Sequence, residues 1–308
     1  MAQIQCLSET LQNVAIKELN EVPENIENVL NEFKLWLQQQ PHLKARTDDQ
    51  FLIQFLRSCE YNMDRAKERI DAFYSLKTAY PQMLGIYDVE NEKFREINRL
   101  GCFTALPRPF EDTGSRMIWF DFNYSTEEYT TEEIFYPGLA MYELFIIDDP
   151  HAAIQGIMTI LDMSKASMAH LLQASPLFLK TMVDYFENCL PLRIRGIYFF
   201  NIPAAANNFF KMLLSLFSEK NRNRVFLCET MDDLMQHIPQ KYLPRHCGGE
   251  NGSLEENIQV LEEKFNKYSN YFKENSHYGT DESLRQGPPL NVKPSFGDGG
   301  SFRKLAVD

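Results

Sequence analysis

Segments of strand-like and helix-like hydrophobic periodicity alternate between residues 90 and 249. They predict an α/β domain with a mixed, largely parallel sheet flanked by helices. Residues 22–80 carry helical periodicity alone, which predicts an all-helical region ahead of that domain. The composition agrees, since 44% of the 308 residues are apolar and 24% charged, enough to build a globular core.

In the helical region, Ile26, Val29, Leu30, Phe33, Trp36 and Leu37 recur at steps of three and four and share one face. Pro23 suits an early turn, and Pro41 ends the pattern. Thr47-Asp48-Asp49 reads as a cap before Phe51, Leu52, Phe55 and Leu56. A third helix carries Met63, Ala66, Ile70, Phe73 and Tyr74 and stops before Pro81. In the α/β part, β-rich runs fall at 116–122, 157–161, 197–200 and 225–228, with an edge strand at 103–106. Helical stretches lie between them at 131–147, 166–189 and 204–219. After Gly248-Gly249, the series Leu254, Ile258, Leu261, Phe265, Tyr268, Phe272 marks one more amphipathic helix. From Ser276 onward, five glycines and three prolines without apolar period predict an extended or disordered tail. The expected organisation is an extension over 1–21, a helical region over 22–89, the α/β domain over 90–252, a C-terminal helix over 253–275 and a tail over 276–308.

Several function classes are disfavoured. A net charge of −12 argues against a general nucleic-acid binder. The six cysteines are scattered, with no C-x-x-C pair, and read as free thiols; neither a disulfide nor a metal site is expected. The longest uncharged run, residues 196–210, has 15 residues with three Asn, whereas a membrane span needs roughly 20 apolar ones. No secretory signal opens the chain, so cytoplasmic residence is expected. Phosphate loops, the G-x-S-x-G elbow and the H-E-x-x-H helix are missing, so neither an enzyme nor a cofactor is expected. The acidic pairs Asp148-Asp149 and Asp232-Asp233 read as solvated surface.

Two features depart from an ordinary α/β protein. The helix over 209–217 is apolar nearly all round, with only Lys211 and Ser215 polar. Such a helix is either a central core element or a lid between an apolar ligand and a bilayer. As a lid it would turn Phe210 and Leu214 outward. In addition, residues 191–228 hold six basic side chains (Arg193, Arg195, Lys211, Lys220, Arg222, Arg224) against one acidic residue, Glu219. Solvated strand ends would account for them, but an anion site beside the apolar helix fits better and points to anionic lipid headgroups.

Specific motifs carry a resemblance. Residues 49–57, DQFLIQFLR, followed by Met63-Asp64-Arg65-Ala66, resemble the N-terminal helical region of the CRAL-TRIO family. Pro191-Leu192-Arg193-Ile194-Arg195-Gly196-Ile197 and Asn201-Ile202-Pro203 resemble the strand and turn before that family's gate helix. Phe217-Ser218-Glu219-Lys220, Ile238-Pro239-Gln240-Lys241-Tyr242-Leu243-Pro244 and Cys247-Gly248-Gly249 complete the signature, which covers about residues 22–275. Residues 300–305 resemble the C-terminus of insect members of the tocopherol-transfer branch. The resemblance implies a closed lipid cavity, a gate at the 209–217 helix and a monomeric carrier that leaves its ligand chemically unchanged. It implies transient contact with phosphoinositide-containing membranes through Arg193, Arg195, Lys220 and Arg224. The family's second Arg in F-L-R-x-R is replaced here by Cys59, while Arg57 is retained. The matched cavity positions are Phe135, Leu139, Tyr142, Leu161, Met182, Tyr185, Phe186, Leu190, Phe209, Met212, Leu213 and Phe217. The ligand class implied is tocopherol-, retinoid- or carotenoid-like. Phospholipid or phosphoinositide exchange or sensing, and a non-carrier signalling module, are the alternatives.

Overall fold

A computed structural model describes residues 2–287. The N-terminal part holds α1 (Glu9–Leu19), α2 (Ile26–Gln38), strand β1 (Leu43–Lys44), α3 (Asp49–Ser58), α4 (Met63–Ala79), α5 (Pro81–Leu84) and α6 (Glu92–Arg99). On α2 the buried residues Ile26, Leu30, Phe33 and Leu37 follow the expected steps. On α3 every residue from Phe51 to Ser58 is buried, because helices cover it on all sides. The extension over 1–21 is more than a leader. Ser8 caps α1, whose Leu11, Ala15 and Leu19 close a small apolar cluster with Ile154.

The α/β domain is built on β2 (Phe103–Ala105), β3 (Arg116–Asp121), β4 (Ile157–Asp162), β5 (Ile194–Phe200) and β6 (Val225–Leu227). These form one sheet in the order β2-β3-β4-β5-β6, parallel except for the β2–β3 pair. Between β3 and β4 come α7 (Thr131–Asp148), opened by a Thr130/Glu133 capping box, and α8 (Pro150–Gln155). The segment expected as one helix over 166–189 is broken. It forms α9 (Met168–Gln173), α10 (Pro176–Asp184) and a π-helical turn (Tyr185–Cys189). Ser175 caps α10 and Pro176 cannot continue the preceding helix, which places the break. Then follow α11 (Asn207–Leu216), α12 (Glu219–Arg222), α13 (Met231–Met235), α14 (Leu254–Lys267) and α15 (Ser269–Glu274).

The sheet separates two cores. Met117, Trp119, Met158, Ile160, Tyr198 and Phe200 face one way, against Leu234, Ile238, Tyr242 and Leu243. Ile118, Phe120, Ile157 and Phe199 face the other way, toward α7 and α11. The β4–β5 register slips between Ile157 and Met158, which pair with Ile194 and Gly196, so Arg195 is the extra residue of a bulge. Gly156, at φ 85°, makes this possible, since a Cβ there would lie 2.3 Å from the Arg193 carbonyl oxygen.

Two expectations need correction. Residues 276–287 are held in place: β7 (Gly279–Thr280) pairs with β1, and Arg285 grips Asp71 at 2.6 and 2.9 Å. The remainder of the expected tail, including residues 300–305, lies outside the described residues. Asp149 is buried against Arg116 at 2.7 Å and caps α8, while Asp148 receives Tyr268 at 2.7 Å and Lys264 at 3.0 Å. Both are structural: strand β3 brings Arg116 and α8 brings the Ala152 N–H to Asp149, and α14 with the following Tyr268 brings donors to Asp148.

Candidate functional site

On the α7 side the sheet does not pack to completion. A cavity of about 160 Å³ remains, walled almost entirely by carbon. Alternation along β4 aims Ile157, Thr159 and Leu161 into it, and the β5 bulge lets both Ile194 and Ile197 reach it. Phe135 and Tyr142 come from α7, Met182 from α10 and Phe186 from the π-helical turn. The cover is α11, whose Phe209 and Leu213, followed by Phe217, lie four apart and point inward.

Eight of the twelve matched cavity positions line it: Phe135, Tyr142, Leu161, Met182, Phe186, Phe209, Leu213 and Phe217. The other four do not. Leu139 and Leu190 are buried in the surrounding packing, and Tyr185 stacks on Phe73 at 6.0 Å because the π-helical turn rotates it away. Met212 is half-buried on the flank of α11. The outward orientation expected of Phe210 is also overturned. It is 3% exposed and meets Phe199 edge-on at 4.9 Å. The outer stripe of α11 is Asn207, Asn208, Lys211 and Ser215, with Leu214 half-buried.

A 3-10 turn (Ala204–Ala206) leads into α11, no side chain caps its start, and a void lies under its inner face. Its end is held by Arg222, which donates to the carbonyls of Leu214 (3.0 Å) and Phe217 (3.1 Å). Beside it, α9 exposes Leu172 at 77% and Met168 at 46% while sending Leu171 into the cavity. No acidic residue occurs between Asp162 and Asp184.

A second concavity, of about 280 Å³, is polar and basic. It gathers Arg193, Arg195, Lys220 and Arg224, as the motif implied, and adds Arg65 and Arg69 from α4. Four of the guanidiniums are anchored on backbone: Arg193 on the Ile154 carbonyl, Arg224 on that of Ile194, Arg195 on that of Gln155 at 2.8 Å, and Arg69 on those of Leu190 at 3.0 Å and Glu187 at 3.2 Å. Burial, then the neighbouring Arg195, lowers Arg193 to about 10, and the same two causes lower Arg224. Crowded cations of this kind favour an anion. The Arg193 Nε is buried with no partner. Carboxylates answer them: Glu18 of α1 lies 3.1 Å from Arg195 and 3.9 Å from Arg193, and Glu60 and Glu187 line the same concavity.

Arg57 does not join this cleft. It is buried, donating through Nε to Glu21 at 2.7 Å, and Tyr61 donates to the same carboxylate at 2.8 Å. Cys59 is buried as well. The spacing of Arg65 and Arg69 was visible in the sequence, but their wall of the cleft exists only once α4 lies beside the π-helical turn. Lys211 and Arg222 lie outside it. Cavity and cleft share a wall, since Phe186 and Ile194 line both. The α11–α12 junction also touches both, through Phe217 on one side and Ser218 and Lys220 on the other.

A mostly parallel sheet with a hollow apolar face under α11, and a basic cleft on the same wall, agrees with what family comparison finds. Residues 102–249 match the CRAL/TRIO domain and residues 22–94 the Pinta-like UBA domain, so the chain carries a CRAL/TRIO domain. Among its relatives, the alpha-tocopherol transfer protein-like protein of Homo sapiens is 25% identical over 257 residues, 81% of this chain and 72% of that protein. Clavesin-2 of Rattus norvegicus is 24% identical over 243 residues, 78% of this chain and 74% of that protein. The solved structure of Sfh5 covers 86% of this chain and 100% of its own, with 12% identity and a TM-score of 0.48. No helix among the described residues is long and apolar enough to cross a membrane.

Proposed function

We propose that this protein is a monomeric, non-enzymatic carrier. It holds one hydrophobic small molecule in the apolar cavity and exchanges it at membranes through movement of α11. The observation that carries this reading is the carbon-walled void beneath α11. Burying a ligand there gains roughly 25 cal/mol per Å² of apolar surface without polar contacts. A tocopherol-, retinoid- or carotenoid-like molecule suits such a wall, and a charged phospholipid headgroup does not.

Phosphoinositide headgroups are assigned to the basic cleft, on Arg193, Arg195, Lys220 and Arg224. An anion there would pull on the α11–α12 junction, which is also the end of the cavity cover. The lip formed by Met168 and Leu172, in a stretch without acidic residues, gives the bilayer an apolar contact beside the same helix. Two measurements test this. Mass spectrometry of a solvent extract of the purified protein should find one apolar compound per chain, and a phospholipid in its place would favour the exchange reading. A vesicle-transfer assay on Leu172→Gln should find slower delivery with unchanged melting. Unchanged delivery would reject the lip.

A further inference from the structure

Four polar side chains interrupt the cavity wall: Thr131, Tyr142, Thr159 and His170. Two of them are fully engaged by the protein. The His170 Nδ1 meets the Ser167 hydroxyl at 2.8 Å and its Nε2 meets the Tyr124 carbonyl at 3.1 Å. The Thr131 hydroxyl lies 3.2 Å from that of Tyr124 and 3.3 Å from the Gln173 Oε1. The remaining two have only each other, with the Tyr142 and Thr159 hydroxyl oxygens 3.2 Å apart.

A hydroxyl pair has two protons and makes one internal bond. If Tyr142 donates to Thr159, the Thr159 proton is left over; if Thr159 donates, the Tyr142 proton is. Either way one O–H stands at the edge of an apolar cavity without a protein acceptor. An unmet donor in such surroundings is unfavourable, so the arrangement asks for an acceptor from the contents of the cavity. The sequence pattern points the same way. On β4, Ile157 and Leu161 flank Thr159 on the same face, and its register partners are Ile118 and Ile197. One hydroxyl in an otherwise aliphatic row breaks the binary pattern at the place where the void begins.

We infer that the Tyr142–Thr159 pair is the polar anchor of the cavity, and that the ligand is an apolar molecule bearing an oxygen acceptor (a hydroxyl, carbonyl or ether) that reaches this pair. The inference rests on the carrier reading and narrows the ligand class: a pure hydrocarbon leaves the donor unmet.

The test compares farnesol with farnesene, its hydrocarbon counterpart, by displacement of a fluorescent lipid from the full chain. The variants are Tyr142→Phe, Thr159→Val and the double change. Each single variant keeps one O–H and should still bind farnesol. The double variant should bind farnesol about three- to tenfold more weakly, the worth of one hydrogen bond, while farnesene binding stays the same or tightens. Equal losses for both probes, or no loss for farnesol, would overturn the anchor. Melting curves of the double variant report whether the pair merely stitches α7 to β4, in which case stability falls without discrimination between the probes. Binding of neither probe by the unmodified chain would overturn the carrier reading, and the anchor with it.

Discussion

The two faces of the five-stranded sheet use the same strands and the same alternation, yet one face is filled and the other hollow. On the Trp119 face, Phe200 lies 5.6 Å from Trp119, and Leu234, Ile238 and Leu243 are fully covered. On the opposite face, equally apolar side chains stop short of each other and leave about 160 Å³. The difference lies in what packs on each face. The filled face receives short turns and α13, which follow its contour. The hollow face is bridged by longer, stiffer helices, α7, α10 and α11, whose spacing is set by their contacts with the N-terminal region and with each other. Hydrophobicity alone does not tell a core from a pocket.

The largest difference should come from truncation. Phe200→Ala on the filled face should cost about 3–5 kcal/mol in chemical denaturation, and Leu161→Ala on the hollow face about 2 kcal/mol or less. Equal costs would mean that the cavity closes up in solution. Next in size is charge on the wall behind the cavity. Arg195→Gln combined with Lys220→Gln should weaken binding to phosphoinositide vesicles about thirtyfold, at about 1 kcal/mol for each basic side chain. The loss should shrink as salt rises, and ligand retention should stay near normal.

A converse experiment fills the hollow face. Leu161→Trp should leave melting almost unchanged, because the indole enters a void, yet lower ligand affinity at least about tenfold. A large fall in melting temperature would reveal a face already packed. Smaller again is the effect of Glu18, which is half-exposed and therefore weakly coupled to Arg195. Glu18→Gln should tighten vesicle binding by up to about fivefold.

The last difference appears only in acid. Burial by itself would raise the Glu21 carboxyl, but Arg57, Gln12 and Tyr61 together hold it below the ordinary carboxylate value. A carboxylate lowered in the folded state stabilises it above its unfolded pKa of about 4.3, and that contribution disappears as pH falls through the lower folded value. Melting temperature measured from about pH 5 downward should therefore fall more steeply in the unmodified chain than in Glu21→Gln. Parallel curves would remove Glu21 from the acid response.

Much of the fold was legible because it rests on local periodicity. The steps of four and three on α2, the strand runs now seen as β3 to β6, and the basic motif around β5 all appear where their residues predict. Elements with weak or interrupted signals were missed. Helix α1 carries only Leu11, Ala15 and Leu19 on its buried face, and the break at Ser175-Pro176 sits inside an otherwise apolar run. Within the candidate site, Phe209, Leu213 and Phe217 were readable from spacing, whereas Phe210 was not. Its neighbours on α11 are as apolar as it is, and only contact with Phe199 fixes which side faces in.

Local sequence dictates the alternation of strands and helices, the basic excess over residues 191–228, and the apolar character of α11. Those properties depend on neighbours a few residues apart. Only the tertiary structure decided that one face of the sheet is hollow, that Arg65 and Arg69 complete the cleft, and that Arg57 turns away to Glu21. It also decided that Thr159 meets Tyr142 at the cavity edge. Each of these depends on how far apart rigid elements come to rest, a distance set by the sum of many weak packing contacts rather than by any one residue's preference.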